Sequence, residues 1–312
     1  EKIEFIIIDD ASNQKTKEIL NIFSSQDERI VVYENRKNIG LTRSLNLGIK
    51  ISTGKYIARQ DSDDISEPNR LKTQLNYLRN HPNVGIVGSW SYIINEENQR
   101  IGYSRPPETN CFIKWSLLFD NCVNHPTILM RKSLLSCENL YNENIRYAQD
   151  YDFFSRMIKK TEINNLNKYL YNKRVHKNMI SLNKNELQTK VRKKIMYRSI
   201  EDLMSHEIKR STIDNLSNVD ANNEMKKITE YSQVSILIKN MYNAFINNNM
   251  CSEQKQQIIL KDAFHRILKP YILSIRQRPL SFSLLILDAV AFYWRNSTNR
   301  GKVDILKSVI KF

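Results

Sequence analysis

The sequence lacks a paired-cysteine motif. Its four cysteines, Cys111, Cys122, Cys137 and Cys251, have no CxxC spacing, which argues against a zinc site and gives no disulfide framework, so free thiols are the expectation. No signal-peptide pattern stands at the front of the chain. Long apolar runs are missing too. The longest, Leu280 to Trp294, covers about 15 residues and contains Asp288, short of the roughly 20 that a membrane-spanning helix needs. There is no initiator methionine: the chain opens at Glu1 and enters a predicted strand at Ile3. A natural beginning before residue 1 is therefore expected.

What is present is a chain of 312 residues with 41% hydrophobic content, enough for one large domain or two moderate ones. The net charge of +15 is uneven. Residues 1–160 hold 22 Lys/Arg against 20 Asp/Glu, and residues 161–312 hold 26 against 13. A basic C-terminal half suits nucleic acid, an anionic membrane surface or an acidic substrate, or serves only as a solubilising surface.

The first 90 residues alternate between short apolar runs and helical periodicity. Ile3–Ile8 is a nearly all-apolar run ending at Asp9-Asp10-Ala11-Ser12, which predicts a strand buried on both faces, with Ser12 capping a helix to about Ser24. Arg29–Glu34 reads as a second strand, Leu41–Ile51 as a helix, and Lys55–Arg59 as a third strand. A helix opened by Pro68 and a strand over Val84–Trp90 follow. This order predicts an α/β domain with a mostly parallel, Rossmann-like sheet. From about residue 185 helical periodicity dominates. The expected organisation is an α/β domain over 1–185 and a basic, mainly helical region over 186–312.

Four segments carry candidate chemistry. Asp61-Ser62-Asp63-Asp64 places three carboxylates at the end of the third strand. Their mutual repulsion is relieved by a hard cation such as Mg²⁺ or Mn²⁺, unless the cluster is an acidic solvated turn. Ligands of such sheets bind beyond strand carboxyl ends, where Asp9-Asp10 also falls. Asn38-Ile39-Gly40 to Asn46 offers a glycine turn and a helix start carrying Arg43, both suited to phosphate; Asn46 reads equally as a helix-surface residue. Gln149-Asp150-Tyr151-Asp152 opens an amphipathic helix, where an Asp serves as a cap or as a base. Arg174-Val175-His176 supplies a metal-ligand candidate.

In this order and spacing the segments resemble the GT-A-fold glycosyltransferases of family 2, over roughly residues 3–182. The resemblance implies an inverting, metal-dependent transfer of a sugar from a nucleoside-diphosphate sugar, foremost a UDP-sugar, to a glycan or lipid-linked acceptor hydroxyl in bacterial surface polysaccharide synthesis. It implies that Asp10 contacts the nucleotide base and Arg43 lies near the nucleotide. Asp61 stands by ribose and metal, Asp63 coordinates Mg²⁺ or Mn²⁺, and His176 is a further metal ligand. Asp150 is the general base, with Asp152 and Asp64 in support. Two departures stand out: the strand–loop–helix unit that usually precedes the first acidic strand is missing, and Gln149 replaces an acidic residue. The competing readings are a sugar-nucleotide pyrophosphorylase and a non-catalytic membrane- or nucleic-acid-binding module. The acidic strand-end loops disfavour a polyanion, so no nucleic acid is expected. A cytoplasmic location follows, with peripheral contact at the inner face of the membrane through Arg276–Arg295 as an option.

Overall fold

The computed structural model describes residues 3–136, 140–176, 186–220, 228–274 and 279–298. Two compact units divide the chain, residues 1–113 with 121–192, and residues 114–120 with 193–312.

The first unit opens with β1 (Phe5–Asp9), α1 (Gln14–Gln26), β2 (Ile30–Glu34), α2 (Leu41–Ile51) and β3 (Tyr56–Ala58). β1 and β2 pair in parallel, Phe5 opposite Ile30 and Asp9 opposite Glu34. The cap of α1 is Asn13, whose side chain accepts from the Thr16 amide at 3.0 Å, and not Ser12. Ala11 takes a left-handed conformation, φ 62°. The Ser12 amide donates to Asp9 Oδ1 at 3.0 Å, closing a side-chain turn before the helix begins. Nor is β1 buried on both faces. Among the described residues its only ladder partner is β2, and Phe5, Val31, Tyr33, Ile22 and Phe23 all remain exposed. A run of apolar residues reports what a strand can bury, not whether both faces are covered.

The rest of the unit comprises β4 (Ile65–Ser66), α3 (Arg70–Asn80), β5 (Val84–Ile94), β6 (Arg100–Ser104), α4 (Asn110–Ser116), β7 (Leu129–Arg131), α5 (Gln149–Met157) and β8 (Glu162–Arg174). Its sheet runs β3-β7-β5-β8-β4, with β6 paired to β5. The α/β class is as expected, but the pairing is mixed rather than mostly parallel. β5 and β8 are parallel, whereas β3–β7, β4–β8, β5–β6 and β5–β7 are antiparallel. Of the antiparallel pairs only β5–β6 is a short hairpin; β3–β7, β5–β7 and β4–β8 join strands far apart in sequence.

Along β5 and β8 the register is irregular around Trp90, with Trp90 opposite Tyr169 but Ser91 opposite Tyr171. Adjacent residues of a strand face opposite ways, so this irregularity sends Tyr169 and Tyr171 to opposite faces. Leu78, Val84, Val87 and Leu129 form a buried cluster under β5.

The second unit is helical: α6 (Glu186–Met204), α7 (Arg210–Asp220), α8 (Ile228–Asn248), α9 (Glu253–Ser274) and α10 (Pro279–Asn296). Its core draws on Ile238, Met241 and Phe245 of α8 and Leu260, Ala263 and Ile267 of α9. Residues 114–120 pack into it. Trp115 is fully buried, its indole N–H donates to Asp262 Oδ2 at 2.7 Å, and the Arg266 guanidinium lies 3.8 Å from the Phe119 ring centre. Cys251 is disulfide-bonded, as is Cys111 of the first unit, against the expectation of free thiols, whereas the Cys122 thiol is reduced and donates to the Ile113 carbonyl. Among the described residues no helix is long and apolar enough to cross a membrane.

Gly88 of β5 is a point of close approach. A Cβ there would stand 2.1 Å from Asn165 Oδ1, and Asn165 is anchored by a 2.7 Å hydrogen bond to the Pro107 carbonyl. Gly88→Ala is expected to destabilise the protein by about 1–3 kcal/mol. Gly102→Ala, where the nearest atom is 3.5 Å away, should be close to neutral. Urea unfolding of both variants checks this; equal midpoints would refute the steric account.

Candidate functional site

β3 runs into Arg59-Gln60-Asp61-Ser62-Asp63-Asp64, and this acidic loop is built around the buried guanidinium of Arg70, the first residue of α3. Arg70 is 1% exposed. Its Nη2 donates to the carbonyls of Arg59 (2.7 Å), Pro126 (3.0 Å) and Ile128 (3.2 Å). Its Nη1 reaches Gln60 Oε1 (3.0 Å) and Ser66 Oγ (2.8 Å), and its Nε reaches Gln74 Oε1 (3.1 Å). Burial lowers its pKa to about 10, which leaves it charged at neutral pH. Gln60 relays this hold, its Nε2 donating to the Asp61 and Asp64 carbonyls at 3.0 Å each.

The end of β8 closes the loop from the other side. The Arg174 amide donates to Asp64 Oδ1 at 2.7 Å and its Nε donates to the Asp63 carbonyl at 2.8 Å. Burial raises the Asp64 pKa, against the pull of these hydrogen bonds. His176 Nε2 stands 3.2 Å from Asp63 Oδ2, although 113 residues separate them in sequence. Asp61 forms an ion pair with Arg59, and its amide donates to the Tyr171 hydroxyl at 3.1 Å. Asp63 and His176 are thus brought together with side chains 38% and 31% exposed. Among the described residues no group of three such ligands forms a complete cluster. The pair fits a cation that keeps several of its positions for water and phosphate oxygens, as Mg²⁺ commonly does.

The first acidic pair is spent differently. Asp10 Oδ1 accepts from the Ile39 amide (2.8 Å) and Asn35 Nδ2 (2.9 Å), and Oδ2 accepts from the Gly40 amide (2.8 Å). Burial pushes its carboxyl up, but these hydrogen bonds outweigh it and the net pKa is lowered. Asp10 therefore clamps the loop that leads into α2 at Gly40, φ 87°. Neighbouring Asp9 is buried, with Oδ2 lacking a partner. Arg43 is exposed on α2, 3.4 Å from Glu143.

Asp150 lies in the first turn of α5, after Ala148 in a left-handed conformation, φ 55°. The helix dipole favours a carboxylate there. Its Oδ2 accepts from Asn121 Nδ2 at 2.8 Å and its Oδ1 from the Tyr151 amide at 2.9 Å. Asp152 is buried and bound by Arg156 Nε at 2.8 Å, which anchors the helix.

Residues 1–136 match the family model described as glycosyl transferase family 2. An uncharacterized glycosyltransferase of Methanocaldococcus jannaschii is 35% identical over 155 residues, 49% of this chain and 53% of that protein. The amylovoran biosynthesis glycosyltransferase AmsE of Erwinia amylovora is 30% identical over 129 residues, 41% of this chain and 48% of that protein. Over residues 1–136 the chain is therefore similar to glycosyltransferase family 2. It spans about half the length of these relatives. S. aureus TarS 1–349, solved in complex with UDP-GlcNAc, superposes with a TM-score of 0.53 at 16% identity, over 92% of this chain and 80% of that one, and so shares the fold.

Of three further contributors, Asn46 closed a candidate segment of the sequence, and His125 and Arg70 were not expected from it. Asn46 is no helix-surface residue. It is 3% exposed, donates to the Tyr141 carbonyl at 2.9 Å and accepts from the Tyr141 amide at 3.0 Å. His125 is buried, which lowers its pKa and keeps it neutral; its Nε2 is 2.7 Å from the Tyr141 hydroxyl. Arg70 is the third, and its only sequence signal is its place two residues after Pro68.

Two expectations follow. Arg70→Lys replaces a five-donor fork by three donors and strands several buried acceptors, so a loss of about 2–4 kcal/mol is expected; an unchanged denaturation midpoint would remove Arg70 from this organising role. The Asp10 clamp has a lowered pKa, so its stabilisation is full above the unfolded carboxyl value near 3.9 and is lost as pH falls through the folded value. Melting temperatures of wild type and Asp10→Ala should lie well apart at pH 6 and converge towards pH 3.

Proposed function

We propose that this chain is an inverting, metal-dependent glycosyltransferase. It moves a sugar from a nucleoside-diphosphate sugar, foremost a UDP-sugar, to a hydroxyl of a glycan or lipid-linked acceptor in bacterial surface polysaccharide synthesis. Residues 1–185 serve as the transferase domain and 186–312 as a basic helical accessory region. The observation that carries this reading is the junction of Asp63 with His176, 3.2 Å apart, at a strand carboxyl end of a domain similar to family 2.

Asp63 and His176, with Asp61 once released from Arg59, are the residues that would hold Mg²⁺ or Mn²⁺. Such a cation, when bound, offsets the charge that develops on a departing diphosphate. Asp10 shapes the base-binding wall through loop 38–40, and Arg43 exchanges Glu143 for the nucleotide's charge. Asn121 and the Tyr151 amide each occupy one oxygen of Asp150. Asp150 serves as the base for the proton of an acceptor hydroxyl. Asp150 takes that proton while the hydroxyl oxygen forms its bond to the anomeric carbon. The bond to the diphosphate breaks on the opposite face, and the nucleoside diphosphate leaves with the electron pair.

Peripheral membrane contact belongs to the same reading. Leu287 and Trp294 of α10 are 62% and 41% exposed, seven residues apart on one helix; Arg276 and Arg278 lie outside the described residues. Such contact would place the site at the inner face of the cell membrane, from the cytoplasm.

Asp150→Asn is expected to keep donor binding and to lower turnover by about 10²-fold or more. Release of UDP from a UDP-sugar measures it, and unaltered turnover would take Asp150 out of the base role. Asp63→Ala should abolish the part of donor affinity that depends on Mn²⁺. Titration calorimetry with and without the metal reads this, and equal affinities in the two proteins would contradict the metal assignment.

A further inference from the structure

On the β5–β6–β8 face that points away from Tyr171, Trp90, Tyr92, Tyr103 and Tyr169 form a continuous aromatic patch. Tyr92 stacks on Tyr169 with ring centres 4.2 Å apart and planes 12° apart. Trp90 and Tyr103 meet Tyr169 edge-on at 5.3 and 6.5 Å. Two guanidinium groups lie over these rings. Arg100 is 3.8 Å from the Tyr92 ring centre, and Arg105 is 4.3 Å from Tyr103, 5.1 Å from Trp90 and 5.7 Å from Tyr169.

Cation–π stacking alone would hold a hairpin together, but three features exceed that task. Trp90 Nε1 is buried without a hydrogen-bond partner, a rare state for a donor in a folded protein. Arg105 stacks through its face, and of its N–H edge only Nε is engaged, on the Tyr169 hydroxyl at 2.5 Å. Among the described residues it joins no ion pair, whereas Arg100 has Glu67 at 3.5 Å. Tyr103 is 60% exposed. An open ring, a guanidinium fork without an anion and an N–H without an acceptor therefore share one patch.

A saccharide ring offers an apolar C–H face to an aromatic ring and oxygens to an N–H, and an acidic one adds the anion that a guanidinium fork binds bidentately. We propose that Trp90, Tyr103 and Arg105 form a subsite for an anionic saccharide chain, on the sheet face opposite the acidic loop. This rests on the transferase reading. Ser91 and Ser104 alternate with the patch residues and so lie on the opposite face of the sheet, where Asn124 Nδ2 donates to both hydroxyls at 3.3 and 3.1 Å and ties the two strands beneath the patch. Single-stranded nucleic acid also stacks on aromatics, but it favours a strongly basic footprint, and residues 1–160 carry 22 Lys/Arg against 20 Asp/Glu.

The test is calorimetric titration of the full chain with four probes: trigalacturonate, its neutral methyl ester, a maltotriose 6-phosphate and an oligothymidylate. At least one of the two anionic saccharides is expected to bind, and whichever binds identifies carboxylate or phosphate as the anion. Both should bind more weakly to Arg105→Met by about tenfold or more, in line with loss of a charge-assisted pair. Arg105→Lys should fall between, and Tyr103→Ala should weaken the ester and the acids alike. Melting temperatures confirm that each variant is folded. Absence of binding by both acids, equal binding of acid and ester, unchanged binding in folded Arg105→Met, or tighter binding of the oligothymidylate would each overturn the subsite. Donor hydrolysis by the wild type, measured in parallel, separates the two readings. Hydrolysis without saccharide binding overturns the subsite alone, and saccharide binding without any donor turnover overturns the transferase reading.

Discussion

The candidate site depends on a buried positive charge that, among the described residues, forms no ion pair with a carboxylate. Arg70 is held by three backbone carbonyls and three side-chain oxygens, with its guanidinium 4.9 Å from the Tyr171 ring centre. Burying a cation without compensating dipoles is prohibitively costly, so these acceptors must converge for the fold to exist. They come from the acidic loop, from α3 and from the segment before β7. Satisfying one side chain therefore fixes the backbone from Arg59 to Ser66 relative to Pro126 and Ile128. The partly exposed Asp63 carboxylate is then held on a fixed backbone, the condition for electrostatic preorganisation.

The same logic recurs on a smaller scale around each acidic residue. Asp10 is stabilised by the amides it organises, Asp64 by the Arg174 amide, and Asp152 by Arg156. These carboxylates hold the scaffold. Asp63 instead faces His176 across 3.2 Å, and Asp150 lies in the first turn of α5. Ala11 and Ala148 take left-handed backbone conformations beside the two acidic motifs, a strain that persists only where the surroundings over-determine it.

Strand irregularity assigns side chains to the two faces of the sheet. The shift at Trp90 sends Tyr171 to the acidic loop and Tyr169 to the aromatic patch. Without it both tyrosines would share a face, because a strand repeats every two residues.

Spacing and polarity along the chain determined the α/β class, the helical C-terminal region and the positions of the acidic motifs, because each reports a local property. Apolar runs mark strands, and a carboxylate cluster at a strand end marks a loop that needs neutralising. Only the tertiary structure decided how much of β1 is covered, that the sheet is mixed, and that residues 114–120 pack with the helices of the second unit. It alone turned Asn46 inward onto Tyr141 and brought His176 to Asp63 across 113 residues. Burial and long-range pairing depend on what lies across the fold, and a residue carries no record of its distant neighbour. Arg70 shows the limit most clearly: in sequence it is one arginine among many surface charges, and folding makes it the centre of the site.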